Sequence, residues 1–374
     1  MIKKLNILTL SSWYPNEHDI QQGVFIQQQL EAIQKVHNVT LVIVKANEER
    51  SFEKTKTGNL TTIKIHYPSK NKTLNLINWL MAWRLAFPLL EKEKFDLLHL
   101  HVIFPHGLIA LWFKRKFQIP LVVTEHWSGY KSKKSYSGFL RKKITKTILK
   151  KAKAVIVQSE FLKNTMENIG LKGPYYIVPN LVRFQPKTSA TRVSSNRIRI
   201  LNVADHIDST KNISGFIEAS KTCLIKNKNL QFVQIGSGKD SEMLHDMAKN
   251  LKLNSSFEWK GRLKNKEVLL EMQNCDFGVI NSNVETFSIV AFEFLAAGKP
   301  IVITNCGGPE EYLPDGFGIF TELSNSDKLA KSILNMADTY LSYPNEKFSG
   351  LIREKFSEKQ FINRINLVYQ ATVE

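Results

Sequence analysis

The chain has 374 residues, with a net charge of +18 and hydrophobic and charged fractions of 43% and 23%. That length exceeds one ordinary core and calls for two domains, and the composition excludes a disordered chain. The basic excess calls for an anionic partner (nucleic acid, a phosphorylated ligand or an acidic membrane surface), with a merely solvated basic surface as the plain alternative.

In chain order, "MIKKLNILTLSSWYP" has too short an apolar run, broken by Asn6, to be a signal peptide, and reads as a first buried strand. The loop "SSWYPNEHDIQQGVF" follows, with Gly23 just before a helical "VFIQQQLEAIQK". Strands are expected at "VTLVIV", "TIKIHY", "DLLHLH", "PLVVTEH", "AVIVQS" and "YYIVPN". All are rich in β-branched residues and apolar on both faces, as parallel strands covered by helices should be. Between them lie the apolar stretch "LNLINWLMAWRLAFPLL" at 74–90 and the helical "GLIALWFKRKF". His126 in "TEHWSGY" sits at a strand end, where ligands of such sheets bind; a structural histidine is the bland alternative. From Lys131 to Lys153 the chain holds ten lysines and arginines and no acid. A basic amphipathic helix there, near the apolar 74–90 segment, suits an anionic membrane surface, and a solvated helix beside a core helix suits it nearly as well.

After Asn180 the alternation lapses, and "LVRFQPKTSATRVSSN" reads as a linker. The domains are therefore expected at 1–182 and 183–356, with the helix in 357–374 packing back on the first. A second strand-helix series runs through "RIRILNVA", "LQFVQIG", "FEWKG", "CDFGVIN", "KPIVIT" and "GFGIF". The fold class is α/β: two Rossmann-like doubly wound domains facing a central cleft at the carboxyl ends of both sheets. Three cysteines (Cys223, Cys275 and Cys306) lack CxxC spacing and read as buried thiols of a reducing compartment. With no stretch near the roughly 18 apolar residues of a membrane span, a cytoplasmic location is expected.

Three segments of the second half carry candidate chemistry. Lys211 in "NVADHIDSTKNISGF" follows a strand and is read at the start of a helix, as a phosphate-neutralising cation or a plain surface lysine. In "IGSGKD", Gly236 and Gly238 would let backbone amides approach a phosphate, although a plain strand-to-helix turn fits as well. "NVETFSIVAFEFLAAGKP" sets Glu285 and Glu293 eight positions apart. The spacing of Phe287, Val290, Ala291 and Phe294 predicts a helix from about Thr286, leaving the N–H groups of Thr286, Phe287, Ser288 and Ile289 for a diphosphate. Glu285 would then accept hydrogen bonds from sugar hydroxyls and Glu293 from a ribose. Two unrelated acids on a surface helix are the alternative, and the glycine turn in "VITNCGGPEEYL" directly downstream weighs against it.

These segments occur in a fixed order, and the chain resembles the family 4 retaining glycosyltransferases of the GT-B fold over nearly its whole length. The matching pieces are the Gly23 loop, "HLHVIFPHG", "VVTEHWSGY", "VIVQSEFL", "YIVPN", the Lys211 segment, "IGSG", "FEWKG", the Glu285/Glu293 pair and "NCGGPEEYL". The resemblance implies that Lys211 and the amides after Glu285 bind a donor diphosphate, Glu293 the nucleotide ribose and Glu285 the transferred sugar. His126 would hold the sugar on the acceptor side, and Gly23 would border donor phosphates and acceptor. The family's usual arginine about five residues before the lysine is replaced here by Asp205 or His206.

No Asp-x-Asp motif stands in a suitable loop, so no metal and no cofactor beyond the nucleotide-sugar donor is expected. The expected partners are a nucleotide sugar, a glycan or lipid-linked acceptor and an anionic membrane surface. The rival functions are a nucleotide-sugar epimerase of the same shape and a nucleic-acid-binding protein. The second has no zinc spacing, aromatic RNA-binding strand or helix-turn-helix to support it.

Overall fold

The computed structural model describes residues 3–16, 19–69, 72–132, 136–184, 197–253 and 255–374. Its contacts divide the chain into two compact units, one running to Leu181 and including Glu358–Glu374, the other Val182–Ser357. Most of the segment read as a linker lies outside the described residues.

The first unit contains β1 (Asn6–Ser11), α1 (Val24–Ile33), β2 (Asn38–Asn47), β3 (Ser51–Thr57), β4 (Leu60–Pro68), α2 (Lys72–Leu90) and β5 (Leu97–His101). It continues with α3 (Gly107–Phe117), β6 (Leu121–Thr124), α4 (Phe139–Lys151), β7 (Ala154–Val157), α5 (Glu160–Asn168) and β8 (Tyr175–Ile177). The sheet order is β3-β4-β2-β1-β5-β6-β7-β8, and β3 alone of these runs antiparallel to its neighbour. Alternate residues of β1, β2, β4, β5, β6 and β7 serve two cores. Leu8, Leu10, Val42 and Leu98 pack with Trp83, Phe113 and Ile148 under α2, α3 and α4. Ile7, Leu41 and Leu97 pack with Ile26 and Leu30 of α1 on the other face. Each such side chain, fully buried, contributes roughly 1.5–3 kcal/mol, which is why these strands are apolar on both faces.

The second unit contains β9 (Ile198–Val203), α6 (Asp208–Lys211), α7 (Ile213–Lys226), β10 (Leu230–Ile235), α8 (Ser241–Asn250), β11 (Phe257–Gly261) and α9 (Asn265–Asn274). It ends with β12 (Phe277–Ile280), α10 (Ile289–Ala296), β13 (Ile301–Thr304), β14 (Gly318–Thr321), α11 (Ser326–Thr339) and α12 (Asn345–Lys355). Its sheet is parallel in the order β11-β10-β9-β12-β13-β14, so the order reverses between β9 and β12. The last helix, α13 (Glu358–Val373), returns to the first unit. Phe361, Ile365, Val368 and Tyr369 enter the core over α1, and the Tyr369 hydroxyl meets His99 Nδ1 at 2.7 Å.

The architecture is thus α/β, two Rossmann-like doubly wound sheets. The strand β3 was not anticipated. Its seven residues are all exposed, so it carries no apolar alternation to read.

Candidate functional site

In a doubly wound sheet the loops leaving the two strands at the order reversal form a natural ligand crevice. In the second unit these loops follow β9 and β12, and they carry Lys211 and Glu285. Lys211 ends the one-turn helix α6 rather than beginning a longer one, because Asn212 turns left-handed (φ 47°) before α7 starts. Its Nζ lies 2.6 Å from Glu285 Oε1, which also accepts from Ser282 Oγ at 2.6 Å. The Glu285 backbone is held as well: its N–H donates to Cys306 O at 3.0 Å, and Gly308 N–H donates to its carbonyl at 2.9 Å. The glycine turn after β13 therefore clamps the carboxylate in place. Burial opposes the charge on Lys211, but Glu285 outweighs it and holds the ammonium above its ordinary range.

The helix after Glu285 begins later than its apolar spacing predicts. Ser288, left-handed at φ 60°, precedes α10, whose first residue is Ile289. Phe287 is buried with its ring centroid 4.7, 5.5 and 5.2 Å from Phe292, Tyr312 and Phe356. Sinking that ring into the aromatic cluster takes Thr286 and Phe287 out of the first turn. Of the four amides assigned to a diphosphate, Ile289 belongs to the first turn and Ser288 caps it; amides of a first turn have no acceptor inside the helix.

Glu293 lies inside α10, 4% exposed, and is hydrogen-bonded by Asn265. Burial pushes its carboxyl up to about 8. At neutral pH it therefore mostly carries its proton, offering one donor beside its acceptor sites. That corrects the expectation of an ionised, acceptor-only group.

The glycines of "IGSGKD" do a different job from the one expected. Gly236 N–H already donates to Gly261 O at 2.8 Å, and Gly238 N–H to Ser241 Oγ at 3.0 Å. A Cβ on Gly236 would collide with Ala204 O, and one on Gly238 would lie 2.6 Å from His206 O. These glycines let the loops after β9 and β10 touch, and their amides are occupied. His206 is buried, its Nδ1 2.8 Å from Ser241 Oγ, and burial with help from His245 and Arg262 pushes it down to about 4. A neutral, enclosed imidazole cannot replace a phosphate-binding arginine. A guanidinium does stand beside it: Arg262, just past β11, donates to Asp205 Oδ1 at 3.0 Å and to Ser237 Oγ at 3.0 Å.

In the first unit, Gly23 and His126 are brought together. Gly23 (φ 68°) opens α1, and a Cβ there would lie 2.6 Å from the Trp13 backbone. Two residues on, the Phe25 ring centroid is 4.6 Å from that of His126. His126 also stacks on His101 at 6.2 Å and 5° between planes. Burial, and then His101, hold the His126 imidazole well below its ordinary range. Both ring nitrogens of His101 are buried without a hydrogen-bond partner among the described residues, which is costly unless a ligand engages them.

The loops around His126 are organised by Glu125. Its carboxyl accepts from the N–H groups of Ile103 (3.2 Å), His126 (2.9 Å) and Trp127 (3.1 Å) and from the Tyr130 hydroxyl (2.9 Å). Burial raises its pKa against these four bonds.

Two family models match the chain, "Glycosyltransferase Family 4" over residues 22–185 and "Glycosyl transferases group 1" over 187–359. The chain belongs to the family 4 glycosyltransferases. An uncharacterized glycosyltransferase of Methanocaldococcus jannaschii is 27% identical over 86% of this chain and 87% of its own length. Alpha-monoglucosyldiacylglycerol synthase of Acholeplasma laidlawii is 26% identical over 66% and 68%. Sucrose-phosphate synthase from Thermosynechococcus elongatus shares the fold, with a TM-score of 0.82 at 16% identity over 98% of each chain. So does Anabaena HepE in complex with UDP-glucose, at 0.74 and 16% over 98% of this chain and 100% of that one.

Sequence reasoning on this glycosyltransferase missed Ser282, Asn265, Arg262 and Glu125. Arg262 had a legible signal, a basic residue just past a strand's carboxyl end. The other three hold their partners through side-chain geometry that no spacing announces. Among the described residues no helix is long and apolar enough to cross a membrane.

Proposed function

We propose that this glycosyltransferase moves a sugar from a nucleotide-diphosphate sugar to a glycan or lipid-linked acceptor, with retention at the anomeric carbon and without a metal ion. Its setting would be cell-surface polysaccharide synthesis at the cytoplasmic face of an anionic membrane, with no nucleic-acid partner. The observation that carries the reading is the Lys211–Glu285 pair at the order reversal of the second sheet, beside the start of α10. Relatives support the donor class and a lipid-linked acceptor: HepE was solved with UDP-glucose, and one curated relative is named for a diacylglycerol glycolipid.

The chemistry follows from where charge develops. Breaking the bond from the anomeric carbon to the phosphate oxygen puts negative charge on the diphosphate and positive charge on the sugar. Lys211 and the first-turn amides of α10 stabilise the first. As the donor enters, Lys211 exchanges the Glu285 oxygen for a phosphate oxygen, and the released carboxylate accepts from the sugar hydroxyls. Glu293 holds the ribose. The acceptor oxygen attacks from the face that the phosphate leaves, and its proton passes to the departing phosphate. Glu285 and Glu293 are positioning groups in this scheme, not nucleophiles. His126, kept neutral, and His101 meet the acceptor sugar, with Gly23 bordering them.

Thermal shift against a panel of nucleotide sugars tests the donor, since a ligand at 100 times its Kd adds about 2.7 kcal/mol. One base and sugar should stand out, and product NMR should show an unchanged anomeric configuration. An inverted product would end the retaining mechanism. Sugar released from the nucleotide by elimination, with no acceptor present, would favour the epimerase.

A further inference from the structure

Helix α2 is apolar on both sides, yet half of it is buried. Ala82, Trp83, Ala86 and Leu90 are at most 3% exposed, whereas Leu76, Ile77, Leu80, Met81 and Leu85 are between 45% and 59% exposed. At 3.6 residues per turn the exposed set occupies one half of the helix, where a solvent-facing helix would be polar. Arg84 is the one charge on that half among the described residues.

The bare surface continues onto the neighbouring helices. Trp112 of α3, 42% exposed, lies 5.3 Å from Phe87 of α2, and Leu108 is 52% exposed. Next to α3, helix α4 opens with Phe139 and Leu140, 81% and 69% exposed. Then come Arg141, Lys142, Lys143, Lys146, Lys150 and Lys151. None of the three helices contains an aspartate or glutamate; the nearest acids, Glu91 and Glu93, come past the end of α2. All three cover the same sheet face, so their outer sides turn away from it together. Single exposed apolar residues are ordinary, but a contiguous patch marks an interaction surface.

We infer that this face docks on an anionic lipid bilayer, with the α2 row and Phe139–Leu140 entering the boundary between headgroups and acyl chains while the α4 cations meet the headgroups. The inference deepens the proposed function and rests on its reading that the acceptor lies at a lipid surface. The charge pattern selects this occupant. A symmetric contact between two copies through this face would gather two sets of α4 cations with no acid from α2, α3 or α4 to offset them, and a nucleic acid would leave the α2 row without a partner.

The test uses the full chain in co-sedimentation with vesicles of phosphatidylglycerol and phosphatidylcholine, and of phosphatidylcholine alone. The parent should bind the anionic vesicles well and the neutral ones weakly. Combined Lys142→Gln, Lys143→Gln, Lys150→Gln and Lys151→Gln should lower anionic binding on the order of 100-fold or more at low salt and converge on the parent at high salt. Combined Ile77→Gln, Leu80→Gln and Leu85→Gln, all at exposed positions, should weaken binding at every salt concentration.

A parent that ignores anionic vesicles overturns the inference. So does an apolar variant that binds like the parent, or a parent that is dimeric in sedimentation equilibrium and made monomeric by the apolar changes. Nucleotide-sugar thermal shift is run on the same proteins to keep the two readings apart. Vesicle binding without any donor response sinks the proposed function alone, and the converse sinks the docking alone.

Discussion

The carboxyl edges of the two sheets treat charge in opposite ways. In the second unit, Lys211 stays charged against burial because Glu285 sits 2.6 Å away and is itself held by Ser282 and the turn after β13. In the first unit, burial pushes His101 down to about 3 and holds His99 and His126 well below their ordinary range. A diphosphate needs charge to meet it, whereas sugar hydroxyls need hydrogen-bonding atoms of fixed orientation. The contrast also runs within α10 and its approach, since Glu285 has a cation and Glu293 has an amide partner and a raised pKa.

Three measurements would break or sharpen this contrast. The largest effect is expected at Glu293. Its folded carboxyl titrates near 8, against an ordinary value of 4.5. Between those values the unfolded chain has released the proton and the folded one keeps it. The stabilising contribution is therefore full below pH 4.5 and is lost at about 1.4 kcal/mol per pH unit until about 8. Glu293→Gln has no proton to release, so its melting temperature should gain on the parent steadily across that window and then level off. A constant difference across the window would mean that water reaches the carboxyl.

Next comes Glu285→Ala. Turnover should fall on the order of 100-fold or more, since about 1 Å of misplacement costs that much, while calorimetric affinity for the bare nucleotide diphosphate stays within a few-fold. Loss of that affinity as large as in a Glu293→Ala variant, with circular dichroism unchanged, would end the assignment of sugar to one acid and ribose to the other.

The smallest effect is expected for Glu125→Gln, where an amide NH2 would face the N–H donors that the carboxyl now satisfies. Denaturant unfolding should register a loss of roughly 2 kcal/mol, with nucleotide affinity untouched, because that site belongs to the other unit. A parallel fall in nucleotide affinity would show that the two edges are not independent.

Much of this was legible without coordinates. The parallel strands could be read because helices cover both faces of each sheet, and that demands short β-branched apolar runs with helical periods between them. Lys211, Glu285 and His126 were readable as candidates because they follow strand ends, where ligands of such sheets bind, and Glu293 only by its spacing from Glu285. The exposed edge strand β3 left no such trace. Nor does a helix apolar on both sides, such as α2, say in its sequence which half meets the core.

Local pattern determined the elements of this protein, because hydrophobic period is a property of neighbours along the chain. Tertiary structure decided the rest. It started α10 at Ile289 because Phe287 found three aromatic rings, and it pressed Gly236 and Gly238 against Ala204 and His206 by bringing the loops after β9 and β10 together. It also set a cation 2.6 Å from Glu285 and buried Glu293, whose carboxyl is pushed up to about 8. A carboxyl's proton depends on desolvation and on the nearest opposite charge, and both are supplied by residues distant in sequence.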